Sequence, residues 1–207
     1  MNKEQNIYIR TLELAGIAST LKAMRLPMKS ESRSDSCLED GFLCPSVVFE
    51  GKSTCYPYGY KIFYEKSKLL IGEKDIYFSE RLVLNGDDHA KAMRGIIVWA
   101  EMNLPRYIWQ EMDTYTVGVI PLSSESTMHC EAKGLKGEEL VKFKENLPEG
   151  HVQKRIRAFS YQTLRRIYFQ RRTHRLPIWQ EIVIPWIKSL PLSEELITIK
   201  KELDVNV

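Results

Sequence analysis

Long apolar runs are missing from this sequence, and so is any dense pattern of cysteines. No stretch approaches the roughly eighteen consecutive apolar residues that a membrane-spanning helix needs. The amino-terminal MNKEQNIYIRTLELAG is charged from its third residue and has no apolar core of the secretory kind. These absences predict a soluble, cytoplasmic chain without a membrane partner. Cys37, Cys44, Cys55 and Cys130 show no CxxC spacing, and four cysteines in 207 residues do not make a disulfide scaffold. Free thiols are expected. His129 stands beside Cys130, but no paired ligands nearby complete a tetrahedron, so no metal site is expected. A strong charge of one sign is also lacking. The formal net charge of +3 argues against wholesale nucleic-acid binding and leaves only local clusters to consider. No repeat period is visible.

What is present describes a single domain, 1–207. A chain of this length with 43% hydrophobic residues can bury roughly 70% of its unfolded surface. Leu14, Ile17, Leu21 and Met24 recur at helical spacing within residues 7–25, which predicts an amphipathic helix ended by Pro27. KSESRSDSCLEDG, residues 29–41, reads as a surface loop or mobile segment. Between 42 and 84 the β-prone runs SVVFE, YKIFY, IYF and RLVL predict short strands and hairpins. Ile96 to Ala100 reads equally as a buried strand or a buried helical turn. Residues 134–150 predict a helix stopped near Pro148. Residues 158–177 predict a longer one, capped by Ser160 and ended before Pro177. The last segment, 178–203, reads as helix with proline interruptions. Helix, short strands and then mostly helix suit an α+β domain.

Two segments concentrate chemistry. PRYIWQEMDTYTVGVIPLSSESTMH, residues 105–129, mixes acids, a glutamine, a histidine, aromatics and hydroxyls. It reads either as a pocket lining or as a strand with Gln110, Glu111 and Asp113 in solvent while Tyr107, Trp109 and Tyr115 pack inside. The second segment holds Lys154, Arg155, Arg157, Arg165, Arg166, Arg171, Arg172, His174 and Arg175, interleaved with Tyr161, Tyr168 and Phe169. Nucleic-acid binding, a solvated basic helix face, or a guanidinium aimed into a pocket would each use such residues. On a helix starting near Ser160, positions 161, 164, 168, 171 and 175 share a face, which sets Arg171 and Arg175 beyond a Tyr/Leu/Tyr stripe.

The order of these features resembles the signature region of flavin-dependent thymidylate synthases: a Gln three residues before RHRxxSxNExSxRY, then Arg-x-x-Leu-Pro, then a helix NxRxLxxFxxxR followed by AQxEI. Here Gln110 stands three before Asp113, so Asp113, Thr114 and Tyr115 occupy the RHR slot, and Ser124 to His129 align with NExSxR. Lys144 stands three before Leu147-Pro148. Ser160, Leu164 and Arg171 take the helix positions, and WQEI, 179–182, closes the pattern. The resemblance covers residues 88–187 and leaves 1–85 unexplained.

The resemblance implies a central, mostly antiparallel sheet packed with helices, a helical C-terminal half, and a divergent, phage-type member of the family. It implies a nucleotide ligand in a homo-oligomer, by analogy a tetramer, with sites between protomers. Gln110, Thr127, His129, Lys144 and Arg171 would hold the substrate. Arg171 would stabilise charge on the pyrimidine, and Glu125 would position or exchange a proton. Activity would be reductive methylation of dUMP or a related pyrimidine nucleotide, using FAD, methylenetetrahydrofolate and NADPH. The RHR slot departs from the pattern. Replacing two arginines by Asp113 and Tyr115 removes charge-assisted bonds worth about 1.5–3 kcal/mol each, roughly ten- to a hundredfold in flavin affinity apiece. A non-catalytic phage protein that binds or sequesters a nucleotide or nucleotide-derived signal is the alternative. Nucleic-acid binding through 154–175 is the third reading.

Overall fold

The structure is a computed structural model that describes residues 6–38 and 69–200. Its frame is a four-stranded antiparallel sheet of β1 (Tyr8–Ala15), β4 (Ile97–Pro105), β6 (Val152–Ser160) and β5 (Val119–Ser124), in that spatial order. β4 and β6 pair without interruption from Ile97 opposite Ser160 to Pro105 opposite Val152. Val98, Ala100, Met102 and Leu104 alternate into the core, so the Ile96 to Ala100 run resolves as strand. A two-stranded ladder joins β2 (Cys37–Leu38) to β3 (Leu69–Leu70). The expected α+β architecture, with mostly helix after Ser160, is the one observed.

The amino-terminal helix is shorter than its periodicity predicts. Residues 8–15 form β1, and α1 covers only Ile17–Arg25. Gly16 separates the two at φ 94°, and a Cβ there would lie 1.9 Å from the Gly95 carbonyl oxygen, so this turn excludes a side chain. Leu14 reaches the core from the strand while Ile17, Leu21 and Met24 reach it from the helix. One helical stripe was therefore read across two elements. The helix does end where Pro27 predicts, in a tight turn at Leu26–Met28.

The polar segment after α1 is not simply a surface loop. Ser30 and Asp35 are buried, and the segment clamps onto α2 (Glu73–Leu84). Asp75 accepts hydrogen bonds from Arg25 Nε, from Ser34 Oγ at 2.6 Å and from the Ser36 backbone N–H at 3.2 Å. Asp35 accepts from the Lys74 and Asp75 N–H groups at 3.0 and 3.1 Å. It thereby caps a helix whose own N-cap position, Gly72, carries no side chain. IYF and RLVL lie inside α2 rather than in strands. Asp75, Ser79, Leu82 and Val83 turn inward at helical spacing, so the β-propensity of the short runs was overridden by tertiary packing. SVVFE and YKIFY lie outside the described residues.

Two further expectations change. Residues 106–112 form helix α3 (Arg106–Met112), not strand, and bury Ile108, Trp109 and Met112. The basic segment is not one helix face. Lys154, Arg155 and Arg157 lie on β6, and α5 (Tyr161–Arg171) ends before Arg175. The cap is as expected, with Ser160 Oγ accepting from the Thr163 N–H at 3.2 Å. Between these, α4 spans Gly137–Glu145. The last described segment runs through a π-helical turn at Trp179–Val183, α6 (Ile184–Lys188) and a second π turn at Ser193–Thr198. Arg165 donates to the carbonyls of Ile197 and Ile199 at 2.9 and 2.6 Å, fastening that end to α5.

Two stability predictions follow from these contacts. Asp75→Ala strands the buried Arg25 guanidinium and is expected to cost about 3–5 kcal/mol in denaturant melts. Burial first, and the neighbouring Glu195 second, hold the Glu80 carboxyl above its ordinary value. Such a group binds more protons folded than unfolded, so its contribution to stability falls as pH rises through the window above the ordinary carboxylate value. Glu80→Gln is expected to raise the thermal midpoint at neutral pH. The gain should vanish below about pH 4, where the wild-type carboxyl is protonated in both states. A gain of equal size at both pH values would contradict it.

Candidate functional site

Helix α3 positions most of the polar chemistry, and its placement follows from one aromatic side chain. Trp109 is fully buried and its Nε1–H donates to the Gln153 carbonyl at 2.8 Å, pinning the helix across β6. At the start of α3, the Arg106 N–H donates to the His151 carbonyl at 3.0 Å and Arg106 Nη1 to the Leu147 carbonyl at 3.0 Å. Arg106 and Gln110 both reach Glu149, whereas Glu111 turns to Arg171 and Asp113 to the arginines of β6.

A cleft of about 210 Å³ opens beside the first turn, lined by Arg106, Thr127, Lys144, Leu147, His151 and Gln153. Lys144 comes from the last turn of α4, and buried Thr127 from the turn after β5. The Lys144 ammonium donates to the Thr127 hydroxyl, a neutral acceptor that leaves its positive charge uncompensated by that contact. Arg106 stands 3.9 Å from Glu149, and His151 stands 3.7 Å from Glu131. A lysine, an arginine, a hydroxyl and an imidazole around one recess form a seat for an anion.

The other expected site residues sit elsewhere in the chain. Gln110 is exposed and donates to Glu149 at 2.8 Å. His129 is exposed, with Nδ1 2.9 Å from Ser126 Oγ. Glu125 accepts from the Lys154 N–H at 2.9 Å and lines a different recess of about 220 Å³ with Ser123, Ser124, Lys154, Arg155 and Ile156. Arg171 lies at the far end of α3. There its Nη1 donates to Glu111 at 3.0 Å, its Nε donates to the Tyr115 hydroxyl at 2.8 Å, and its guanidinium stacks on Trp179. Glu111 Oε2 also accepts from Trp179 Nε1 at 2.7 Å and stands 3.6 Å from His174 Nε2. Thus Thr127 and Lys144 share a cleft, whereas Gln110, Glu125, His129 and Arg171 do not line it.

The RHR-slot residues are all engaged internally. Asp113 pairs with Arg155 at 3.2 Å and with Arg157, Thr114 Oγ1 donates to the Glu111 carbonyl at 2.7 Å, and the Tyr115 hydroxyl accepts from Arg171. The negative charge introduced by Asp113 therefore meets two guanidiniums, and this locality stays net positive. Sequence reading missed Arg106, His151 and Glu111 as parts of these clusters. Arg106 and His151 become visible as partners only once the chain passes from α3 to β6. Among the described residues no group of three or more His, Cys, Asp or Glu side chains gathers as for a metal, and no helix is long and apolar enough to cross a membrane.

No family model matches this sequence, and no curated protein matches it. Solved structures do. Thymidylate synthase X from Helicobacter pylori, crystallised with FAD and dUMP, superposes with a TM-score of 0.59 at 13% identity, covering 93% of this chain and 98% of that one. A second structure of the flavin-dependent enzyme from the same organism, also complexed with FAD and dUMP, gives 0.58 at 12%, covering 92% and 98%. At such identities the likeness establishes the fold: this chain has the architecture of the flavin-dependent thymidylate synthases. The structural match extends well beyond the region where the motifs were recognisable.

Glu111→Gln removes the one carboxylate shared by Arg171, Trp179 and His174. It is expected to cost about 1.5–3 kcal/mol of stability by chemical denaturation. An unchanged midpoint would show that Arg171 does not depend on this carboxylate.

Proposed function

We propose that this protein binds a pyrimidine mononucleotide such as dUMP, with its phosphate in the cleft of Lys144, Thr127 and Arg106. The observation that carries the reading is the meeting of Thr127 and Lys144 in one cationic recess. They lie seventeen positions apart in the sequence, and both fall on substrate-binding positions of the resemblance, Lys144 on one that would hold the phosphate. The shared fold with an enzyme solved with dUMP supports it. A phosphate entering there exchanges water for charge-assisted hydrogen bonds at a surface already shaped to receive it. Gln110, His129 and Arg171 join the nucleotide site in a homo-oligomer, where a neighbouring copy presents them.

The residues in the family's flavin slot do not fit an FAD held in the family's manner. Asp113, Thr114 and Tyr115 are each bonded to this chain's own side chains or backbone, and none of them is a cation. No methyl-transfer step is therefore derived through FAD, methylenetetrahydrofolate or NADPH, and we read the protein as binding the nucleotide without turnover. A non-catalytic protein that sequesters a nucleotide needs only a preformed recess, not a transition-state fit.

Calorimetry with dUMP tests the reading. Wild type is expected to bind, and Lys144→Gln is expected to bind roughly ten- to a hundredfold more weakly through loss of a charge-assisted bond. Equal affinity of the two proteins would refute the placement of the phosphate. A turnover assay with added FAD, methylenetetrahydrofolate and NADPH is expected to give no dTMP, and product formation would overturn the non-catalytic reading.

A further inference from the structure

The four-stranded sheet has two faces, and the core described above occupies one of them. On that side Val98, Ala100, Met102 and Leu104 of β4 join Leu14 of β1 and Phe159 of β6 in a cluster with Trp109, Leu164 and Trp186. Strand pairing fixes what lies on the other side, because directly opposed residues share a face and successive residues alternate between faces. Trp99 stands between Glu13 of β1 and Ala158 of β6, Glu101 between Arg10 and Ile156, and Asn103 between Tyr8 and Lys154. Ile97 lies on the same face, two residues before Trp99, and Ile120 of β5 stands opposite Ala158.

An antiparallel sheet with one solvated face ordinarily turns polar residues outward. Here the outward positions in the middle of the sheet are apolar. Ile97, Trp99, Ile156 and Ile120 form a band across three adjacent strands, and none of them belongs to the core cluster or to the partly buried residues packed against it. Ile120 is 58% exposed. An apolar band centred on an indole and rimmed by polar side chains marks an interaction surface.

The rim indicates the occupant. Arg10 and Lys154 stand against Glu13, Glu101 and Glu125, with Arg10 3.2 Å from Glu101 and Lys154 3.7 Å from Glu125. A two-fold contact lays a surface on its own copy, so a large charge of one sign would repel it, and this near balance does not. Size agrees. Four strands about 4.8 Å apart and about 30 Å long present roughly 600 Å² per copy. Two copies together reach the roughly 1,200 Å² at which specific interfaces begin.

From these observations we infer that the outer face of the sheet is a self-association surface, on which a second copy of this chain packs sheet against sheet with Trp99 at the centre. The contact lies across the sheet from α3 and shares no residue with the lining of the Lys144 cleft. It is therefore separate from any contact that completes the nucleotide site, and it does not rest on that reading.

Sedimentation velocity of the full chain over a range of concentrations is the test. Wild type is expected to form a particle with an even number of chains at high concentration and to dissociate on dilution in the micromolar range. Trp99→Lys and Ile120→Lys each set an ammonium in the apolar band. Both are expected to halve the particle mass at concentrations where wild type is associated. Val141→Lys, the same kind of change at an exposed apolar position on α4, is expected to leave the association intact. Circular dichroism checks each fold, and the mostly exposed Ile120 keeps the test decisive should Trp99→Lys unfold. A wild type that stays monomeric at every concentration, an assembly that survives Ile120→Lys, or one lost equally in Val141→Lys would each overturn the inference.

Discussion

The buried Trp109 indole is the contact on which the arrangement of polar groups depends. Pro105 ends β4 and admits the first turn of α3, and the indole then locks that helix against β6 through a hydrogen bond to Gln153 and a large apolar burial. Because the helix is short, its polar residues fan out around the axis within two turns. Arg106 goes to the Lys144 cleft, Glu111 to Arg171, and Asp113 to the arginines of β6. Each of those destinations is on a different segment of chain. Loosening this one side chain would therefore disturb three electrostatic groups together.

Charge compensation then decides which cations are free to meet a ligand. Arg171 is matched by Glu111 and covered by Trp179, so using it on a substrate requires breaking an existing pair. Arg165 is spent on backbone carbonyls at the C-terminal end, and Arg25 is sealed against Asp75. Lys144 differs, since its contact is with a hydroxyl. A composition-level reading of the 154–175 segment as basic overstates what is available, because most of those charges are already engaged. The segment also divides between a strand and a helix.

The strongly periodic or capped elements were legible in the sequence. Ser160 as a helix cap, the break at Pro27 and the α+β order all follow from local chemistry that the tertiary structure did not need to override. The misses have a common cause. Leu14 with Ile17, Leu21 and Met24 made a convincing helical stripe because β1 and α1 bury residues on the same side of the core, and only the glycine between them betrayed the change of element. IYF and RLVL looked β-prone as isolated runs, yet their inward residues keep a helical period when counted together from Asp75. Asp35 as the cap of a helix some forty residues on could not be read at all, because the pairing is created by the fold. Of the residues that line the candidate cleft, Thr127 and Lys144 are the two that ordered spacing picks out in the sequence. Arg106 and His151 were not, because nothing local distinguishes them from other partly exposed polar residues.

The departure of Asp113 from an arginine motif shows why such a difference is poorly judged one position at a time. Considered alone, a carboxylate in place of a guanidinium appears to spoil an anion seat. The neighbouring strand, however, carries Arg155 and Arg157, and the latter is too buried to remain uncompensated at small cost. Without Asp113 those guanidiniums would sit charged against an indole with no counter-ion. Without them, Asp113 would lose both of its ion pairs. The three ionised groups are held as a unit, and with two guanidiniums to one carboxylate the unit stays net positive.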